Sequence, residues 1–258
     1  MTHHPAPVAP VLVAASHGTS HPDGQRAVAA LVRAVAASSQ QIVVRESFVD
    51  VQQPDVPQTL RTLEPGRDAV VVPLLLSAGY HVRVDLAGDA RETVDRRVTI
   101  AEALGPDPRL TRLLARRLDE AGLGSDDVVV LGAAGSSDPN AVEDCRVAAA
   151  GLAALLGRPV TVGFISAATP RLADAVADAR SGHAAGHRVV IASYLLAPGY
   201  FAGLAQAAGA DLVTSPLLVA DEPAPRELVD IVHDRYLAAC NADVSASLQS
   251  TSDAVTTW

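Results

Sequence analysis

Three strand-and-turn segments in the first half of this 258-residue chain return in the second half, displaced by 117, 116 and 120 residues. The turn ASHGTSHP at 15–22 is echoed by GAAGSSDP at 132–139. Phe48-Val49-Asp50 is matched by Phe164-Ile165-Ser166, and Ser77-Ala78-Gly79-Tyr80-His81 by Ala197-Pro198-Gly199-Tyr200-Phe201. Solenoid repeats have periods of roughly 20–50 residues, so similarity at this distance points to duplication of a whole domain. Any fold for this chain must therefore be one that can be made twice.

Each copy reads as alternating strands and helices. Residues 11–15 are apolar or small with no polar face, which suits a parallel strand covered on both sides. Helical spacing follows over 23–37, and residues 41–49 are rich in β-formers. Asp55 is placed to cap a helix running to 63, with Pro57 tolerated in its first turn. Residues 69–76 form a third buried strand in which Pro73 requires a bulge or a local edge, because proline has no N–H to give a ladder. A helix over 84–95, a strand over 98–102 and a helix over 108–121 complete the first copy. In the second, strands are expected at 128–131, 159–165 and 189–196, and a helix at 225–239 closes it. The predicted fold is two tandem doubly wound parallel-sheet α/β domains. Residues 1–10 form a disordered arm, 11–122 and 123–240 the two domains, and 241–258 a flexible tail.

Composition narrows the function. The net charge of −9 and the absence of a basic stripe argue against a nucleic-acid partner. No apolar run approaches the ~20 residues that span a bilayer, and the start of the chain lacks the basic and apolar parts of a signal peptide. Cys145 and Cys240 form no CxxC pair, consistent with a reducing cytoplasm, and Cys145 reads as a small buried residue. The acidity is uneven. Residues 1–122 carry 13 Arg against 14 acids, whereas 123–258 carry 7 against 15, and there is no Lys. An anionic ligand is repelled less by the first half.

The duplication also provides an internal control. In the first copy the three strand ends carry His17, Asp50 and His81; in the second the same places hold Ala134, Ser166 and Phe201. Glycines and apolar strands persist while the three reactive side chains vanish together, as expected if they serve function rather than folding. Carboxyl ends of parallel strands are where open α/β sheets bind ligands. Two imidazoles and a carboxylate suit a divalent Fe, Co, Ni or Zn ion and leave coordination positions open, unlike a closed structural zinc site. Histidine as a residue type also accepts protons near neutrality. Glu46 is the reserve carboxylate, four residues before Asp50.

With the AASHGTSHP turn, the FVDVQQPDVP segment and the VVPLLLSAGYHVRVD segment in this order, the chain resembles the sirohydrochlorin chelatases, the class II tetrapyrrole chelatases of the CbiX/SirB type, in their long two-domain form. The resemblance spans about 11–122 strongly and 128–240 weakly. It implies a chelatase-like fold in each domain and a cleft where a metal enters the macrocycle. By resemblance, His17 and His81 bind metal and accept protons, and Asp50 stands where members of the family often carry Glu. The implied reaction is insertion of Fe²⁺ to give sirohaem, with Co²⁺ insertion in anaerobic cobalamin biosynthesis as the alternative. The metal is a substrate, and no permanently bound cofactor is expected. Ser16, Gly18, Thr19, Ser77, Gly79 and Tyr80 are expected to line the cleft. Arg83 would bind a substrate carboxylate, with Arg26 and Arg91 as weaker choices. A single chain with two domains around one cleft would act as a monomer in the cytoplasm. Two other classes compete. SHGT is similar to the RHG turn of histidine phosphatases but lacks the preceding Arg, and the same ligands could serve a non-enzymatic metal or tetrapyrrole carrier.

Overall fold

A computed structural model describes residues 8–77, 79, 86, 88, 90, 93, 95–182 and 186–255, with backbone alone beyond 242. The first copy contributes β1 (Val11–Ser16), α1 (Pro22–Ser38), β2 (Val44–Phe48), α2 (Val56–Arg61), β3 (Ala69–Pro73), β4 (Val98–Ile100) and α3 (Pro108–Glu120). The second contributes β5 (Val128–Ala133), α4 (Pro139–Leu156), β6 (Val160–Phe164), α5 (Leu172–Ser181), β7 (Val189–Tyr194), α6 (Tyr200–Gln206), β8 (Leu212–Val213) and α7 (Arg226–Val255). All strand pairs are parallel, in the orders β2-β1-β3-β4 and β6-β5-β7-β8. The duplication is thus repeated in the topology. In each sheet the chain reverses direction beside the first strand, so the switch point lies at the ends of β1 and β3, or of β5 and β7.

The apolar strands are explained by burial on both faces. Val11, Val13 and Ala15 of β1, with Val71 of β3, pack against Val56 and Leu60 of α2. Their alternates Leu12, Ala14, Val70 and Val72 face a core that also contains Val129, Leu131, Val190 and Ala192 of the second sheet. One layer of helices therefore lies between two sheets. Residues 27, 28, 31, 32 and 35 of α1 enter it as one helical stripe. Asp55 caps α2 as expected, its side chain accepting from Gln58 N at 2.7 Å.

Pro73 is accommodated by a local edge. Leu74 N donates to Ala15 O on one side of β3, and Ala69 N to Arg97 O on the other. Alternation puts the Pro73 nitrogen on the β4 side, where the ladder has already ended at Ile100. The missing donor thus falls beyond the end of the β3–β4 ladder. The helix expected over 84–95 lies largely outside the described residues.

Two expectations are corrected. The helix expected to close the second domain instead packs on the first: α7 lies against α1, β3, β4 and α3. Reciprocally, α3 lies against α4 and β7. Tyr236 OH donates to Pro10 O at 2.8 Å, Arg235 Nε to Ala103 O at 2.8 Å, and Arg116 pairs with Glu227 at 2.6 Å. The two copies have exchanged their last helices. An apolar stripe specifies that a helix must be covered, and between duplicated sheets it does not specify which sheet covers it. In addition, α7 does not stop at 239 but continues to Val255 through the segment read as a tail. From 226 to 255 there is no Gly or Pro to end it.

Candidate active site

The turn after β1 is built by backbone bonds to the end of β2. Val49 N donates to Ser16 O at 2.8 Å and Asp50 N to His17 O at 3.2 Å. His17 and Asp50 are therefore neighbours at adjoining carboxyl ends, and both are exposed. Gly18 adopts φ +86°, and a side chain there would press on Gln52 N at 3.1 Å. The left-handed backbone and the close approach both call for glycine. Gln52 Oε1 accepts from Thr19 N at 2.9 Å, and Gln25 Nε2 donates to Thr19 O at 2.8 Å. These two glutamines hold the turn from opposite sides. Gln52 falls within the FVDVQQPDVP segment without any sign there of this role, and Gln25 lies outside every motif.

The second copy repeats this geometry without the chemistry. Ile165 N donates to Ala133 O and Ser166 N to Ala134 O, each at 2.9 Å. Gly135 takes φ +91°, and a methyl there would overlap Ser166 O. Alanine and serine thus occupy the places of His17 and Asp50 on the same scaffold.

Other expected residues fall in varied surroundings. Ser16 is only 3% exposed, and its hydroxyl is buried without a hydrogen-bond partner among the described residues. Gly18, Thr19, Ser77 and Gly79 are half-buried. Ser77 shares a hydrogen bond with the thiol of Cys145 on α4, whose pKa burial pushes up to about 11. Glu46 pairs in register with Ala14, three residues before His17 and so about 10 Å short of the strand end. Burial raises its carboxyl pKa while Arg33 of α1 opposes the shift. Arg26 is paired to Asp221 at 3.0 Å and Asp23 at 2.7 Å. His81, Tyr80, Arg83 and Arg91 lie outside the described residues. Among the described residues no three His, Cys, Asp or Glu side chains form a metal cluster, and no helix is long and apolar enough to cross a membrane.

The two copies meet at this site through reciprocal loops. A Cβ on Gly199 would lie 3.4 Å from Thr19 Oγ1, and one on Gly79 would lie 3.3 Å from Ser136 Oγ. Each third-strand loop thus reaches the first turn of the other copy. Beneath it, Tyr194 OH donates to Leu76 O at 3.1 Å across the junction, and burial holds that phenol well above its usual range. A methyl on Gly24 would overlap Pro198 O and lie 2.8 Å from Thr19 Cγ2.

Gly24→Ala consequently tests the seating of this loop. Alanine is favoured over glycine in a helix by up to about 1 kcal/mol, but forcing backbone apart costs about 1–3 kcal/mol. The expected outcome in urea denaturation is net destabilisation, against the usual helix rule. A raised midpoint would mean that Pro198 does not rest on α1.

A doubly wound unit made twice, with ligand-type side chains at the strand ends of one copy and Ala134 and Ser166 in their places in the other, defines a two-lobed α/β protein. The CbiX family model matches residues 11–121 and again 128–207, well over half of the sequence. The chain belongs to the CbiX family. It is 33% identical over 82 residues to a sirohydrochlorin cobaltochelatase of Sulfolobus acidocaldarius, covering 31% of this chain and 67% of that protein. Among solved structures, SirB from Bacillus subtilis with Fe³⁺ superposes with TM-score 0.72 at 21% identity, over 91% of this chain and 97% of that one. CbiX, the terminal enzyme for biosynthesis of siroheme in denitrifying bacteria, gives TM-score 0.61 at 22% identity, over 87% and 98%. These two likenesses establish the fold.

Proposed function

We propose that this protein is a sirohydrochlorin chelatase, a metal-inserting enzyme whose first lobe does the chemistry and whose second, degenerate lobe walls the same cleft. The observation that carries this reading is the meeting of His17 and Asp50 at adjoining strand ends, exposed, in a member of the CbiX family.

Insertion exchanges one divalent cation for the two N–H protons of the macrocycle, so charge balances without a redox step or a nucleotide. The site needs donors that hold the ion loosely enough to release it and a base for the protons. A neutral imidazole can do either, through one lone pair at a time. His17 and His81 are assigned these roles, with Asp50 offsetting part of the cation's charge. Asp50 is one carbon shorter than the Glu often found there, so its carboxylate reaches less far beyond the strand end. Gly18 allows close backbone approach beside Thr19, Ser16 lies buried beneath the turn, and Ser77, Gly79 and Tyr80 are assigned to the wall of the cleft. Arg83 is assigned to a carboxylate of the substrate.

Fe²⁺, giving sirohaem, is the metal we assign. Co²⁺ is the second reading, favoured by two relatives known as sirohydrochlorin cobaltochelatases, those of Sulfolobus acidocaldarius and Sulfurisphaera tokodaii. Absorbance-monitored insertion into sirohydrochlorin under anaerobic conditions, with each metal in turn, tests the proposal. Multiple turnovers faster than the protein-free rate are expected, and the faster metal identifies the reaction. A single stoichiometric turnover would identify a carrier, and phosphate-ester hydrolysis without a tetrapyrrole would favour the phosphatase class.

A further inference from the structure

We infer that Tyr200 and Phe201 of the second lobe form an aromatic platform on which the flat face of the tetrapyrrole rests while the first lobe delivers the metal. This rests on the chelatase reading and gives the second lobe a binding role.

The chain is poor in aromatics, with three Phe, four Tyr and one Trp. Two of these stand side by side at the start of α6, and both face solvent. Tyr200 is 76% and Phe201 39% exposed, their ring centroids 5.9 Å apart and edge-to-face at 71°. Leu204, one turn along, is also exposed. They follow Gly199, whose backbone adjoins Thr19 and His21 of the first-lobe turn. Exposed Tyr200, Phe201 and Leu204 thus follow directly on the loop that meets the first-lobe turn, and exposed Val51 lies against Gly18 of the same turn. Exposed apolar side chains grouped beside polar ligands mark a binding surface.

A tetrapyrrole has the complementary shape: a rigid apolar π-face with its carboxylates at the periphery. Phe and Tyr rings bind such a face by offset stacking or edge contact. The duplication supports this division of labour. Phe201 occupies the place of His81, a ring of similar breadth with a π-face but no lone pair to give a metal.

The test uses metal-free sirohydrochlorin and the full chain. The Tyr200→Ala/Phe201→Ala variant should raise the Kd for sirohydrochlorin about tenfold or more, aromatic contacts being worth roughly that much. Binding of Co²⁺ alone should be unchanged. Tyr200→Phe/Phe201→Tyr, which keeps both rings, should restore the wild-type Kd, and kcat at saturating substrate should fall less than kcat/KM. Since both side chains are exposed, the thermal midpoint should hold; if the alanine variant does not fold, Phe201→Leu alone serves, with a smaller rise in Kd. An unchanged Kd in a wild type that binds well overturns this inference and leaves the chelatase reading intact. A wild type that neither binds sirohydrochlorin nor metallates it overturns both. A change in oligomeric state with no change in Kd would assign the patch to a second copy of the chain and overturn the platform.

Discussion

Replacing His17 by alanine is expected to lower metal insertion by about 10²-fold or more, the usual contribution of a positioned proton-transfer group. The loss should appear in kcat, because the proposed role of the side chain is toward the metal and the pyrrole protons rather than the body of the macrocycle. Stability should barely move, by about 0.5 kcal/mol at most, as for an exposed side chain outside the core. The position tolerates small residues: Ala134 already occupies it in the second copy on the same backbone hydrogen bonds. Asp50→Ser, which copies Ser166, should likewise leave the fold intact and reduce insertion less severely. Full activity in His17→Ala would remove this histidine from the reaction. A large drop in thermal midpoint would make it structural instead.

Cutting the chain before Arg226 is expected to unfold the first lobe, although the removed segment is more than a hundred residues away in sequence. Leu228, Ile231 and Val232 of α7 are fully buried in the layer between the sheets. Removal of a single buried Leu or Ile side chain costs about 2–5 kcal/mol, and whole domains are stable by only about 5–15 kcal/mol. Hydrogen exchange would show where the damage falls. Amides of β1, β3 and β4 should lose protection first, while β5 and β7, covered by α3 and α4, keep theirs longer. The opposite order would mean that α7 supports its own lobe.

Much of this architecture was legible because it was written twice. The continuous apolar runs of β1 and β3 indicated strands buried on both faces, Asp55 marked the start of α2, and the recurring segments announced two copies. Pro73 even indicated where the β3 ladder must be open. The exchange of α3 and α7 was not legible, since duplicated sheets offer nearly the same apolar surface to either helix. Nor was the far end of α7, because Ser and Thr weaken a helix without ending it. At the site, the pairing of His17 with Asp50 followed from the strand ends. The mid-strand position of Glu46 followed from register once the strand itself was known. What escaped was everything that depends on the other copy: Pro198 over Gly24, Gly199 beside Thr19, Ser77 turned to Cys145. Such contacts have no periodicity within either half and arise only when the halves dock. The exposure of Tyr200 and Phe201 escaped for the same reason, as a GYF run reads equally well as core.

The reciprocal helices also govern how substrate can enter. Two-lobed α/β proteins commonly admit ligands by swinging their lobes about a hinge. Here each lobe is clasped by a helix belonging to the other, and one apolar core runs through both. Swinging them apart would expose that core to water, at a cost comparable to unfolding. The spacing of the two sheets is accordingly fixed, and binding of a bulky macrocycle is expected to proceed without a swing of the lobes.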